Sequence, residues 1–379
     1  MLSLGAGACV PALGQSQQQT PLDDFIVAEM SKAGIVGLAA GFAKDGEVRF
    51  ARGYGFANLA NRRPVHVDTM FHIASVTKLV TATAAMRLVE EKKLVLDQPV
   101  AAYLDFPLAN PAYADVSITF RHLLMHLSSI SDAKYYEIDL RTAGADSTLA
   151  LDDFLKSYLV PGGRYYTPST CFSDRAPGAA WDYCNVGYGL LGYLVSRIGG
   201  ESLIRQTTRH IFTPLNMRHT SWTIRDTPKR LRTTPYDVVD GAPLPLEPVG
   251  FPDAGAGMLR TSIEDFMRFI AACANGGSAH HTRILQADTL SQMFEMKAPP
   301  LLPEWLTGQG LGWMESKLDG EPMPEHFGGD PGVFTAVYAA PATRSGVAVF
   351  TNTSATAASK AAVKAIASRL LLRDREPFA

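Results

Sequence analysis

The sequence predicts an α/β protein in which an antiparallel sheet, built from both chain ends and flanked by helices, carries an inserted and mainly helical lobe. Three observations lead there. Strand-like segments cluster near the two termini, helical periodicity dominates the middle, and an alanine-rich helical run closes the chain. One sheet drawing on both ends is the economical topology. It divides the chain into a leader or tail over 1–20 and one domain over 21–379, with the α/β part at about 21–80 and 305–379 and the helical lobe at about 81–304.

Each element follows in chain order. Residues 1–20 are small and apolar, then polar, with no charge before Asp23. They resemble the end of a secretory leader that lacks its basic start, with Ala12-Leu13-Gly14 as a small-residue cleavage site, and a lipoprotein-like reading at Cys9 is weaker because the apolar stretch before it is short. The expectation is a periplasmic or secreted protein, with a cytoplasmic one as the alternative. "PLDDFIVAEMSKAG" (21–34) predicts a short amphipathic helix capped by Thr20. "IVGLAAGFAKDGEVRFARGYGFAN" (35–58) predicts a hairpin that turns at Asp45-Gly46. In "MFHIASVTKLVTATAAMRLVEEKKL" (70–94), Leu79, Ala82, Ala85, Met86 and Val89 recur at helical spacing, so a buried helix follows with Ser75 and Lys78 in its first turn. From about 100 to 300 helices alternate with long loops, and turn residues concentrate at 161–180 and 240–257. Strand character returns in "GLGWMESKL", "GVFTAVYAAP" and "SGVAVFTNT", and 355–373 form the closing helix.

Composition narrows the function. The chain has 379 residues, 46% hydrophobic and 19% charged, with net charge −2, which is the profile of a globular protein with a substantial core. No basic patch points to nucleic acid. No apolar run beyond the N-terminus is long enough to span a bilayer. The cysteines, Cys9, Cys171, Cys184 and Cys273, show no C-x-x-C zinc spacing. Cys273 sits in a helical pattern as a small hydrophobe. Cys171 and Cys184 flank a Pro/Gly/Ala-rich stretch, and in an exported protein either a loop-closing disulfide or two free thiols fits. His280-His281 reads as a solvated loop, not a metal site.

Three constellations carry chemistry. Residues i and i+3 of a helix share a face, so Ser75 and Lys78 meet. A serine hydroxyl is a poor nucleophile until a base takes its proton, and a lysine is such a base once burial lowers its pKa. Tyr183-Cys184-Asn185 precedes another buried helix. In extended backbone the phenol and the amide project together while Cys184 turns away. A tyrosine so placed can relay protons. His326-Phe327-Gly328-Gly329 leads into a strand, where glycine admits close approach to the backbone and an N–H can face a developing oxyanion.

Ser-x-x-Lys, then Tyr-x-Asn, then His-x-Gly before a late strand resembles the penicillin-recognising serine hydrolases. That superfamily includes class C β-lactamases, serine D-Ala-D-Ala peptidases, D-aminopeptidases and the family VIII esterases. "ITFRHLLMHLSSI" (118–130), "IFTPLNMRHTSW" (211–222) and "GAGMLRTSIEDFMRFI" (255–270) extend the resemblance over roughly 25–372. It implies a β-lactamase/transpeptidase-like fold, no cofactor, no metal, and a small-molecule ester, amide or peptide substrate. It also implies roles. Ser75 is the acylated nucleophile, Lys78 activates it, Tyr183 is general base and acid, and Asn185 holds Lys78 and the acyl side of the substrate. His326 faces the leaving-group side, and the N–H groups of Ser75 and Gly329, the latter just after Gly328, form the oxyanion hole.

Two departures stand out. His326 replaces the lysine of β-lactamases, so a fixed cation becomes a group charged only at lower pH. Ser129 stands where the family often has glycine, at a position that reads as structural. The expected function is an acyl-serine hydrolase of carboxylesterase type. The alternatives are a D-amino-acid peptidase or carboxypeptidase, a β-lactamase, or an acyltransferase on the same fold. All three motifs are intact, which argues against a non-catalytic homologue.

Overall fold

The computed structural model describes residues 20–372. The expectations for a leader, for its cleavage site and for Cys9 lie outside the described residues.

Eight strands form the main sheet: β1 (Gly37–Lys44), β2 (Glu47–Asn58), β3 (Arg63–Pro64), β4 (Leu306–Gln309), β5 (Met314–Leu318), β6 (Glu321–Asp330), β7 (Val333–Ala340) and β8 (Ser345–Thr351). Their order across the sheet is β4-β5-β6-β7-β8-β1-β2-β3. The two chain ends meet at its centre, where β1 pairs antiparallel with β8 from Leu38↔Thr351 to Lys44↔Ser345. The first hairpin turns where expected. Asp45 (φ 53) and Gly46 (φ 77) are both left-handed, which matches the twist of the flanking strands.

Helices cover both faces. On one, α1 (Pro21–Ala33) and the C-terminal helix Ala357–Leu372 bury Leu22, Ile26, Met30, Val363, Ile366 and Leu370 against the sheet. Thr20 caps α1 in a reciprocal box with Asp23. On the other lies α4 (Ile263–Ala274), while α2 (Thr77–Glu90) and α3 (Asn185–Gly199) pack on each other within the same core. Although α4 belongs in chain order to the long helical segment, it packs directly on the sheet. Its Met267 lies so close to Gly41 that an added Cβ there would meet the Met267 Cγ at 2.3 Å. Leu79, Val80, Ala82, Ala85 and Met86 of α2 are fully buried, the larger ones each contributing about 1.5–3 kcal/mol of burial. Two buried threonines of α2 are satisfied by backbone carbonyls, Thr81 donating across to Gly255 at 2.8 Å and Thr83 within the helix to Leu79 at 2.8 Å.

Three details differ from the sequence reading. Ser75 sits in a 3₁₀ turn (Ala74–Val76) that leads into α2, not in the first α-turn itself. The stretch "GLGWMESKL" contributes only β5, and β4 lies before it. His326 stands inside β6, paired with Val337 of β7, instead of preceding the strand; Pro322 and Pro324 disguise β6 as a turn.

Candidate active site

The 3₁₀ turn that carries Ser75 opens on Ala74, a non-glycine residue held at φ 44. Left-handed backbone costs a residue with a Cβ and is retained where the surrounding structure fixes it. The consequence is a sharp entry into α2 that presents Ser75 at a cavity of about 690 Å³.

Lys78 is fully buried beneath it. Its Nζ makes three hydrogen bonds, to Ser75 Oγ at 3.1 Å, Asn185 Oδ1 at 2.8 Å and the Ala256 carbonyl at 2.7 Å. Burial pushes its pKa down from 10.5 to about 8, against the pull of Asp132, Asp253 and Asp330. Asn185 Oδ1 and the Ala256 carbonyl can only accept, so they keep two N–H bonds whatever the charge state. The third direction points at Ser75. It is an N–H donor when Lys78 is protonated and a lone pair when it is not.

Tyr183 completes this group. Its ring lies 4.8 Å from Lys78 Nζ and stacks on His126 at 4.4 Å. Burial drives its phenol well above 10, opposed by the Ser75 hydroxyl. Tyr183 therefore rests as a protonated phenol, and Lys78 is the group whose pKa burial brings near neutrality.

The Tyr-x-Asn segment is held from behind. Cys184 is extended (φ −138, ψ 115), buried, and caps α3. Buried Asp132 accepts from the backbone N–H of Asn185 (2.6 Å) and Val186 (3.1 Å) and from Cys184 Sγ (3.2 Å). A carboxylate at a helix N-terminus satisfies orphan donors and opposes the dipole. Asn185 Nδ2 also donates to the Tyr136 hydroxyl at 3.1 Å. Asp132, Tyr136 and Ala256 escaped the sequence reading. A carboxylate two residues past "LSSI" is the one local hint, and a backbone carbonyl leaves none.

The third segment needs correction. Gly328 packs against the Ser75 turn so tightly that a Cβ would meet the Ile73 carbonyl oxygen at 2.4 Å and Ser75 N at 2.8 Å. Gly329 lines the cavity with open space above it. His326, however, is fully buried and does not line the cavity; Phe327 does. Burial, followed by the Lys78 charge, pushes its pKa to about 3, so it is neutral throughout the usual pH range. The expected titratable group on the leaving-group side is absent from that wall.

The cavity is aromatic and acidic. Tyr135, Trp181, Phe251, Trp305 and Phe327 line it, with Glu137, Asp139, Asp253 and Asp330. Burial raises Asp253 to about 6 and Asp330 to about 7. Arg141 is the one Lys or Arg among its lining residues, and Asp139 holds it at 2.8 and 3.0 Å.

Cys171 and Cys184 are free thiols, which corrects the disulfide alternative. Each is engaged elsewhere, Cys184 with Asp132 and the Gly187 N–H, Cys171 with the Tyr165 carbonyl and the Thr167 N–H. Ser129 adopts φ 60, the left-handed region that favours glycine, which accounts for the residue type expected there.

Among the described residues, no helix is long and apolar enough to cross a membrane. The family model described as Beta-lactamase matches residues 22–370. Esterase EstB of Burkholderia gladioli is 30% identical over 331 residues, 78% of this chain and 79% of that one. Protein flp of Staphylococcus aureus (strain MW2) is 25% identical over 295 residues, 77% of this chain but only 56% of the length of flp. The crystal structure of a penicillin binding protein from Bacillus halodurans superimposes with a TM-score of 0.72 at 25% identity, covering 92% of this chain and 100% of that one.

Proposed function

This chain belongs to the beta-lactamase family, and from that premise we propose that it is a serine hydrolase that forms an acyl-enzyme on Ser75 and cleaves an uncharged ester or small amide. The observation that carries the proposal is the arrangement at Lys78, whose two other directions are occupied so that its third meets the Ser75 hydroxyl.

In this reading neutral Lys78 takes the Ser75 proton as Oγ attacks the substrate carbonyl. The oxyanion forms against the backbone N–H groups of Ser75 and Gly329. As the C–O or C–N bond breaks, the Tyr183 phenol protonates the leaving group, and the proton held on Lys78 restores the phenol. Water then attacks the acyl-enzyme by the same path in reverse, releasing the acid and free Ser75. An alcohol or amine in place of water would make the reaction an acyl transfer.

The cavity walls support an uncharged substrate. His326 offers no cation, and Arg141 is already paired. A substrate carboxylate would meet Asp253 and Asp330 with no free positive partner among the lining residues. That disfavours a β-lactam or a C-terminal carboxylate. The same acidic walls favour a second reading, an amidase acting on acyl groups that bear an amine. Parallel assays of p-nitrophenyl butyrate, an amino-acid amide and a chromogenic cephalosporin separate the readings. Fastest turnover of the ester is expected. Faster turnover of the amide moves the assignment to the second reading, and faster turnover of the cephalosporin removes both.

A further inference from the structure

Among the described residues, three buried ring nitrogens find no hydrogen-bond partner: His126 Nε2, His326 Nε2 and Trp313 Nε1. All three residues are almost completely buried. A buried polar atom without a partner is destabilising, so three together need a reason.

Their chemistry is complementary. His126 Nδ1 accepts from the Cys184 backbone N–H at 3.1 Å, which places the His126 proton on Nε2. His326 Nδ1 lies 2.9 Å from the Phe327 carbonyl, which can only accept, so the His326 proton is on Nδ1 and its Nε2 is a bare acceptor. The indole N–H of Trp313 is a donor. The three nitrogens thus present two donors and one acceptor.

The fold brings the three residues to one region. The β5–β6 ladder ends at Met314↔Glu325, so Trp313, one step further, falls opposite His326 on the same sheet face. The Gly312 N–H donates to the Leu124 carbonyl at 3.1 Å, tying that strand end to the short helix just before His126. His126 also feels the charges of Lys78 and His326, and His326 that of Lys78. The His126 ring in turn lies against Tyr183 at 4.4 Å, Tyr188 at 5.0 Å and Trp181 at 5.9 Å.

We propose that His126, His326 and Trp313 form a buried site for one ordered water, and that this site positions Tyr183. The water accepts from His126 Nε2–H and Trp313 Nε1–H and donates to His326 Nε2, which makes the three bonds usual for a buried water. It joins the strand that carries the third motif to the ring on which the Tyr183 phenol rests. His326 therefore works from behind Tyr183 and not on the substrate. The positioning role rests on the hydrolase reading above; the water site and the tautomers do not.

The test labels the full chain with ¹⁵N-histidine and records imidazole spectra from pH 5 to 9, assigned with His126→Phe and His326→Phe. His126 is expected as the Nε2–H tautomer and His326 as the Nδ1–H tautomer, neither titrating. The opposite tautomer at either residue, or titration in that range, overturns the site even if no esterase activity is found. A crystal structure in which the three nitrogens share no water also overturns it. For positioning, Trp313→Phe removes one donor and keeps a ring. The expected result is a loss of about tenfold in kcat with KM within about twofold, the scale of one misplaced hydrogen bond. Wild-type kcat in a folded Trp313→Phe protein overturns the positioning role.

Discussion

Lys78 Nζ stands 3.1 Å from Ser75 Oγ, and its two remaining hydrogen-bonding directions are held by Asn185 and by the Ala256 carbonyl. Deprotonation therefore exposes a lone pair in one direction only, towards Ser75 Oγ. With the Lys78 pKa lowered to about 8, the base form grows as pH rises through that value. The expected kcat/KM for p-nitrophenyl butyrate climbs with pH and levels above about 8. Lys78→Arg keeps the charge but cannot deprotonate. Its kcat should fall by about 10²–10⁴ at every pH. A pH–rate profile from 6 to 10 on both proteins checks this, and a flat wild-type profile would contradict it.

Tyr183 and Lys78 pass one proton between them in this mechanism, so removing both should cost little more than removing either. Tyr183→Phe, Lys78→Ala and the double variant are expected within about tenfold of each other in kcat. Steady-state rates on one ester, with folding checked by circular dichroism, decide the point. Fully multiplicative losses would mean that the two groups act in separate steps.

Asp132 serves two backbone N–H groups and a thiol at the head of α3. Asp132→Ala strands these buried donors. The expected cost is about 2–4 kcal/mol in urea unfolding, with a lower kcat because Asn185 and Tyr183 lose their support. Asp132→Asn retains acceptor capacity and should lose less. Equal stability of Asp132→Ala and wild type would dismiss the anchor.

Glu325 lies on the opposite sheet face from His326, fully buried, with its pKa pushed by burial from 4.5 to about 8, opposed by Ser316 and Lys364; Tyr338 is its neighbour across the ladder. A carboxyl whose folded pKa is raised binds more protons folded than unfolded. Its contribution is complete below about pH 4.5 and is lost as pH rises towards 8, by about 1.4 kcal/mol per unit within that window. Glu325→Gln should flatten the fall of Tm between pH 5 and 8. An unchanged slope would show that Glu325 has found a partner for its charge.

What the sequence made legible tracks the range over which its signals act. The Asp45-Gly46 hairpin, the Thr20 cap and the apolar stripe of α2 are local, and each folds as read. The side-by-side projection of Tyr183 and Asn185 followed from two-residue alternation. The path of β6 did not, because Pro322 and Pro324 carry turn chemistry while tertiary pairing keeps them in a strand. Nor did the place of His326, since alternation fixes that Phe327 and His326 oppose one another but not which of them meets the cavity. Asp132 and the Ala256 carbonyl were illegible for a plainer reason. Their partners lie far along the chain, and a backbone acceptor has no residue type to announce it.

The proposed mechanism requires that Ser75 become covalently acylated, with Lys78 as its base. Intact-protein mass spectrometry after brief mixing with p-nitrophenyl butyrate or a fluorophosphonate tests it most directly, followed by peptide mapping. One added acyl or phosphonyl group is expected on the peptide containing Ser75, none on Ser75→Ala, and much slower labelling of Lys78→Arg. Equal labelling of wild type and Ser75→Ala, or an adduct mapped to another residue, would contradict it.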